Sequence, residues 1–375
     1  MKALPLTIRE LLQTFSDHGV RGGLVGGCLR DLLLERLPKD WDISTEVLPQ
    51  DLQTLFPGST LIPTGLAFGT MTLLYHGERV EITTWRQEGD YRDRRHPSRL
   101  AFTTSLEEDL GRRDFTVNGM WYSPAEGLQD PWGGREDLEN RLLRAIRDPL
   151  ERFREDPLRI LRGLRFAATL DFRLEEETAQ AMSELSPLLV HVSRERAAKE
   201  LLGFLDGTLS TLSPLAGPIL RQLLPGLTQF PGALLDTLPG IKLRLAALFS
   251  TLSDPQAGID LVRTLRLSSP GILKTAQLKE AALLATLVRE DDLLQAYRSL
   301  GYRLPLLREL LLLQGGRALP FPALDIRDLA LKGQDLPPAI PGKERGALLA
   351  GLFEAVLRGE LPNEREALLE NIRSL

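Results

Sequence analysis

The chain has a single cysteine, Cys28, among 375 residues, so no internal disulfide can form. Its place beside two glycines points to a small packed residue rather than a nucleophile. Histidine is scarce as well. His18, His76, His96 and His191 stand far apart and no His-Asp dipeptide occurs, so nothing points to a histidine-based metal site. No apolar run reaches the roughly 18 residues that a membrane span needs, and the N-terminus MKALPLTIRELL lacks a signal-peptide pattern. A cytoplasmic protein with no membrane partner is the expectation. An excess of positive charge is also missing, since the net charge is −5, yet the arginines are unevenly spread. Between Arg141 and Arg173 nine arginines face five acids, which reads either as a phosphate-binding surface or as a solvated helix laced with i,i+4 ion pairs.

A length of 375 residues exceeds the usual single core and implies two or more domains or an elongated helical chain. Residues 1–147 mix short β-branched runs with helices, whereas Leu, Ala, Arg and Glu at helical spacing dominate from about 148 onward. The stretch TMTLLYHGERVEITTW predicts a β-hairpin turning at HGE, with Val80, Ile82 and Thr84 on one face and Glu81 and Thr83 on the other. Beyond residue 205, Pro- and Gly-containing breaks near 213–217, 223–232, 254–258, 315–322 and 337–342 separate amphipathic segments such as YRLPLLRELLLLQ. No fixed period recurs, so the back half reads as an irregular helical array.

Chemistry concentrates in LVGGCLRDLLLERLPKDWDIST, residues 24–45. A strand ending in Gly26 and Gly27 leads into a helix whose apolar face carries Leu29, Leu32 and Leu33. Such a turn is either an ordinary turn or an anion site, in which exposed backbone N–H groups, the helix dipole and Arg30 meet a phosphate. In KDWDIST, an Asp-x-Asp on a short strand turns Asp40 and Asp42 to one face. Two adjacent carboxylates are unfavourable unless they are exposed or a cation neutralises them, and hard oxygen ligands favour magnesium. Glu81, on a strand of the same sheet, is either a third carboxylate of that group or a solvent-facing glutamate.

These strings, with PTGLAFGTMTLLYHGERVEITTWR, GDYRDRRHP, RRDFTVNGM, DPWGGREDLENRLLR, REDPLRILRGLRFAA and VSRERAAKELL after them, resemble the class II tRNA nucleotidyltransferases, the CCA-adding enzymes and their bacterial poly(A) polymerase relatives. The likeness runs to LKGQDL and VLRGELPNEREALL at the end of the chain. It implies an α+β polymerase-β-like nucleotidyltransferase head with a small mixed sheet over 1–147. A helical neck carrying the base-reading motif would follow over 148–205, and an all-α, tRNA-binding body and tail over 206–375. Asp40 and Asp42 match the carboxylates that hold magnesium, two ions in all, with Glu81 as a further catalytic candidate. Gly26, Gly27 and Arg30 match the triphosphate turn. Arg112, Arg113, Asp114 and Asn118 match the motif that contacts ribose and phosphates. Asp156 and Arg159 match the pair that reads the base, and Arg162 and Arg165 on the same helix either line the nucleotide cleft, support that pair or are ordinary surface charge.

Physical chemistry gives the reading pair its own rationale. Asp156 and Arg159, three apart at a helix start marked by Pro157, can share a face. A carboxylate accepts from an exocyclic amino group and a guanidinium donates to a ring nitrogen or carbonyl, a pattern that cytosine and adenine satisfy and uracil and guanine do not. The plainer alternative is that Asp156 caps the helix and Arg159 pairs with Glu155. The resemblance implies partners of CTP, ATP and the tRNA acceptor arm rather than DNA. It leaves complete CCA addition first, addition of the terminal A alone after a separate CC-adding enzyme second, and poly(A) synthesis third. CC-only members lack the loop present here as RQEGDYRDRRHPSRLAF, in which His96 is the histidine to watch. Two positions depart from the family pattern: Phe68 stands where relatives commonly have His, and Gly119 where they commonly have Ala.

Overall fold

A computed structural model describes residues 4–87, 101–238, 240–253 and 324–374, together with Arg298, Tyr302 and Leu304. The chain divides into two compact units, Met1–Leu223 and Leu224–Leu375. The expected head and neck both fall in the first. His96 and the segment 88–100 lie outside the described residues, as do most of YRLPLLRELLLLQ and the breaks at 254–258 and 315–322.

In chain order the first unit runs α1 (Leu6–Asp17), β1 (Gly22–Val25), α2 (Gly26–Leu33), β2 (Trp41–Thr45), α3 (Leu52–Leu55), β3 (Thr60–Gly65), β4 (Thr70–Tyr75), β5 (Glu78–Thr84), β6 (Arg86–Gln87) and β7 (Ala101–Phe102). It continues with α4 (Leu106–Gly111), β8 (Trp121–Ser123), β9 (Gly127–Gln129), α5 (Gly134–Glu139), β10 (Leu142–Leu143), α6 (Pro149–Glu155), α7 (Leu158–Leu170), β11 (Arg173–Leu174), α8 (Glu176–Glu184), α9 (Arg194–Leu205) and α10 (Ser213–Leu220). Seven strands form one sheet in the order β3-β4-β5-β2-β1-β8-β9. Within this sheet only β2 and β5 pair in parallel, which makes it mixed as expected.

The hairpin β4–β5 forms where the sequence places it. His76 and Gly77, both at positive φ, turn the chain between Tyr75 and Glu78, the left-handed pair that a two-residue hairpin turn requires. Val80, Ile82 and Thr84 are buried and Glu81 is exposed, so the alternation holds. Parallel pairing of β2 with β5 then sets Glu81 opposite Asp42. Behind the sheet, Trp85 and Trp121 meet edge to face at 6.2 Å within a core that includes Val25, Leu106 and Leu110. Both indoles donate to Ser44, at its hydroxyl and at its carbonyl, which anchors β2 two residues beyond Asp42.

The helices after residue 148 begin as their sequences dictate. Asp148 caps α6 by accepting from Leu150 N–H at 2.8 Å, with Pro149 in the first turn. Asp171, in the left-handed conformation, ends α7. In the second unit, Glu354 of the helix Gly342–Leu357 accepts from Arg298 at 2.6 Å and from the Tyr302 hydroxyl, and Phe353 is packed edge to face on Tyr302. No helix among the described residues is long and apolar enough to cross a membrane.

Candidate active site

A cleft of about 920 Å³ in the first unit is lined by residues of α2, β2, β6 and α7 and of the segment after α4. Every residue given a catalytic or nucleotide-binding role from sequence lines it except Glu81: Gly26, Gly27, Arg30, Asp40, Asp42, Arg112, Arg113, Asp114, Asn118, Asp156, Arg159, Arg162 and Arg165.

Gly26 opens α2 with φ +71°, a conformation that strains any residue with a Cβ. A Cβ there would stand 3.3 Å from Arg113 Nη1 and 3.9 Å from Asp42 Oδ2, so the glycine lets the turn lie directly against both. Asp42 is half-buried on β2. Asp40 is exposed and stands one residue before the strand rather than on it. Burial, joined by the nearby charges of Glu81 and Asp40, pushes the Asp42 carboxyl up to about 6 against the opposing pull of Arg113. Glu81 acts on Asp42 through its charge and does not itself reach the cleft wall. Cys28 donates its S–H toward Val25 O at 3.2 Å and Asp42 O at 3.3 Å, and burial first, then Asp42, pushes its thiol up to about 12. It is a protonated packing residue, as the sequence implies.

The cationic wall is a continuous hydrogen-bonded chain. Arg30 donates to Asp31 at 2.7 Å and to Asn118 Oδ1 at 2.9 Å, Asn118 donates to Asp114 at 3.1 Å, and Arg162 donates to Asp114 at 2.7 Å. Burial alone would raise the Asp114 carboxyl, but Arg162 and the Asn118 amide outweigh it and hold it at about 2. Beneath them, the Phe166 ring lies within 5.3 Å of Arg30, 5.1 Å of Arg162 and 4.1 Å of Arg165. Arg165 is turned to Glu200 at 2.5 Å, so it supports the wall from α9.

Asp156 is extended at the joint between α6 and α7 and does not share a helical face with Arg159. It accepts from Leu158 N–H at 3.1 Å, while Arg159 donates to Glu155 at 2.7 Å. Both halves of the plainer alternative are therefore present, and both residues still border the cleft, so capping and base contact do not exclude one another. Arg159 also donates to Arg112 O at 2.9 Å.

Several lining residues escaped the sequence: Arg36, Lys39, Arg86, Phe166 and Arg196, the last of which donates to Asp156 Oδ2 at 2.8 Å. Arg196 lies within VSRERAAKELL, but only the packing of α9 against α7 reveals its partner. The two departures have structural settings. A Cβ at Gly119 would come within 2.6 Å of Ile146 Cδ1, so the isoleucine fills that space here. Phe68 closes a 3-10 turn at the cleft rim, where Arg86 donates to its carbonyl and lies 5.8 Å from its ring.

Two carboxylates and a helix N-terminus beside a mixed sheet, in one cleft with a wall of guanidinium groups, mark this unit as carrying a nucleotidyltransferase head. Residues 23–144 match the family described as the Poly A polymerase head domain, and residues 171–210 the one described as the probable RNA and SrmB-binding site of polymerase A. The CCA-adding enzyme of Bacillus licheniformis is 36% identical over 395 residues, covering 99% of this chain and 97% of that protein. That of Geobacillus stearothermophilus is 41% identical over 219 residues, 58% of this chain, and the match spans only 54% of that enzyme's length. The crystal structure of the Bacillus stearothermophilus CCA-adding enzyme in complex with CTP aligns at a TM-score of 0.68 and 28% identity, covering 99% of both chains. The chain belongs to the family of CCA-adding enzymes.

Proposed function

We propose that this chain adds CCA to the 3′ end of tRNA from CTP and ATP, without a nucleic-acid template and with release of pyrophosphate. The observation that carries the reading is the single cleft in which Asp40 and Asp42, the Gly26–Gly27 turn, the Arg30–Asn118–Asp114–Arg162 chain and the Asp156/Arg159 pair converge.

The residues suit magnesium. Among the described residues no three His, Cys, Asp or Glu side chains gather into a cage. Two carboxylates completed by nucleotide phosphates and water are the usual way this ion is held, and Asp40 and Asp42 line the same cleft as the Gly26–Gly27 turn. When bound by Asp40 and Asp42, the ion supplies Lewis-acid stabilisation of the triphosphate and lowers the pKa of the attacking 3′-hydroxyl. The chain's own groups do the rest. Backbone N–H groups of the Gly26–Gly27 turn and the N-terminus of α2 receive phosphate oxygens, Arg30 and Arg113 balance their charge, and Arg112 and Asn118 orient the ribose. Asp156 accepts from the exocyclic amino group of cytosine or adenine and Arg159 donates to the ring edge, a pattern that uracil and guanine do not match. The helical second unit would hold the acceptor arm of tRNA, through shape and phosphate contacts, in the cytoplasm.

Incorporation of labelled CTP and ATP into tRNA ending at the discriminator base tests the reading. The native chain should extend it in magnesium, and Asp42→Ala should give no product while still binding tRNA. Turnover by that variant would refute the metal role.

A further inference from the structure

Asp109 is fully buried at 0% exposure, and none of the motifs read from sequence contains it. Three donors nonetheless converge on its carboxylate. Arg112 donates through Nε at 2.9 Å and stands with Nη2 at 2.7 Å, Arg113 donates through Nη2 at 3.3 Å, and the backbone N–H of Arg86 reaches it at 3.4 Å. Both arginines line the cleft, and Arg86 begins β6, the first strand of the small antiparallel ribbon β6–β7.

The same helix holds the ribbon by its next carboxylate. Glu108 accepts from the Gln87 amide at 2.6 Å on β6 and from the Thr103 hydroxyl just after β7. Around its C-terminal end, Gly111 O accepts from Arg152 at 3.1 Å and Arg112 O from Arg159 at 2.9 Å. So α4 is bonded to the ribbon, to two cleft arginines and to the base-side arginine at once. Burying a carboxylate is costly unless its partners are themselves fixed, and two guanidinium groups held from behind keep little freedom of their own.

We infer that Asp109 is a positioning residue of the nucleotide site: its carboxylate fixes Arg112 and Arg113 at the cleft wall and ties them to the root of the β6–β7 ribbon. This rests on the reading of the cleft as a nucleotide site. A purely structural Asp109 would lower stability without touching nucleotide affinity, so the two roles separate by experiment.

The test is calorimetric binding of CTP and of ATP to the full chain, with steady-state kinetics on tRNA, for the native protein and for Asp109→Asn and Asp109→Ser. Either folded variant should weaken both nucleotides about tenfold and raise their KM, while the KM for tRNA stays unchanged. In an Arg112→Ala background, Asp109→Asn should add less than about twofold, because the group it acts through is gone. Unchanged nucleotide affinity with a lowered Tm, full additivity with Arg112→Ala, or failure of both variants to fold would each overturn the positioning role. A native chain that binds CTP while the variants bind it equally well removes this inference alone. A native chain that binds neither nucleotide removes the nucleotide reading beneath it.

Discussion

At the scale of the residue, the cleft shows what each side chain loses if it is changed. Asp114 has an ordinary value of 3.8 and is held at about 2 in the fold. A depressed carboxylate stabilises the fold above its unfolded value and stops doing so as pH falls through its folded one, here for about 2 kcal/mol. Urea titrations should therefore show a gap between the native chain and Asp114→Asn that is full above about pH 5 and shrinks between about pH 4 and 2. A gap that does not vary with pH would remove the Arg162–Asp114 pair as its source. Gly119 offers a second case. Alanine there should cost about 1–2 kcal/mol by crowding Ile146, and Ile146→Val, which deletes the offending methyl, should restore most of it. Equal stability of Gly119→Ala with and without that second change would contradict the packing account.

At the scale of the element, two joints carry the proposed chemistry. The β1–α2 turn needs Gly26 at φ +71°, so Gly26→Ala should cost about 1–2 kcal/mol from strain and displace Arg113. The nucleotide KM should rise about tenfold. A normal KM would show that the turn does not face the triphosphate. At the α6–α7 joint, Asp156→Ala should relax rejection of UTP and GTP and lower stability by about 1 kcal/mol through the lost cap to Leu158. Misincorporation assays with each nucleotide alone decide it, and unchanged rejection would refute the reading role.

These joints also show what the sequence could and could not reveal. The hairpin turning at His76–Gly77 and the glycines at the join of β1 and α2 were legible because each is encoded within a few neighbouring residues, although Gly26 and Gly27 form the first turn of α2 rather than preceding it and Asp40 falls just before β2. Asp156 was misplaced onto a helical face because a proline at 157 fits equally well inside a first turn or just before one. Arg196, Phe166 and Asp109 escaped for a different reason. Arg196 has its partner Asp156 40 residues earlier, while Asp109 and Phe166 have arginine partners within four residues, but only the packed fold shows that these contacts form and what they hold.

At the scale of the whole molecule, charge and function pull in different directions. A net charge of −5 offers no general attraction to RNA, so the proposed tRNA binding would have to come from local arginines rather than from the overall charge. Affinity for tRNA should fall by at least about tenfold between 50 and 200 mM salt, with little dependence on the sequence of the acceptor arm. Salt-independent affinity would remove phosphate contacts from the account. The measurement that tests the central claim most directly uses three tRNA transcripts, ending at the discriminator base, after the first C and after the second C. Each is incubated with CTP alone, ATP alone or both. The account predicts that all three are extended to CCA when both nucleotides are present. Extension of the last transcript alone, by a single A, would contradict complete CCA addition and assign the two cytidines to a separate enzyme.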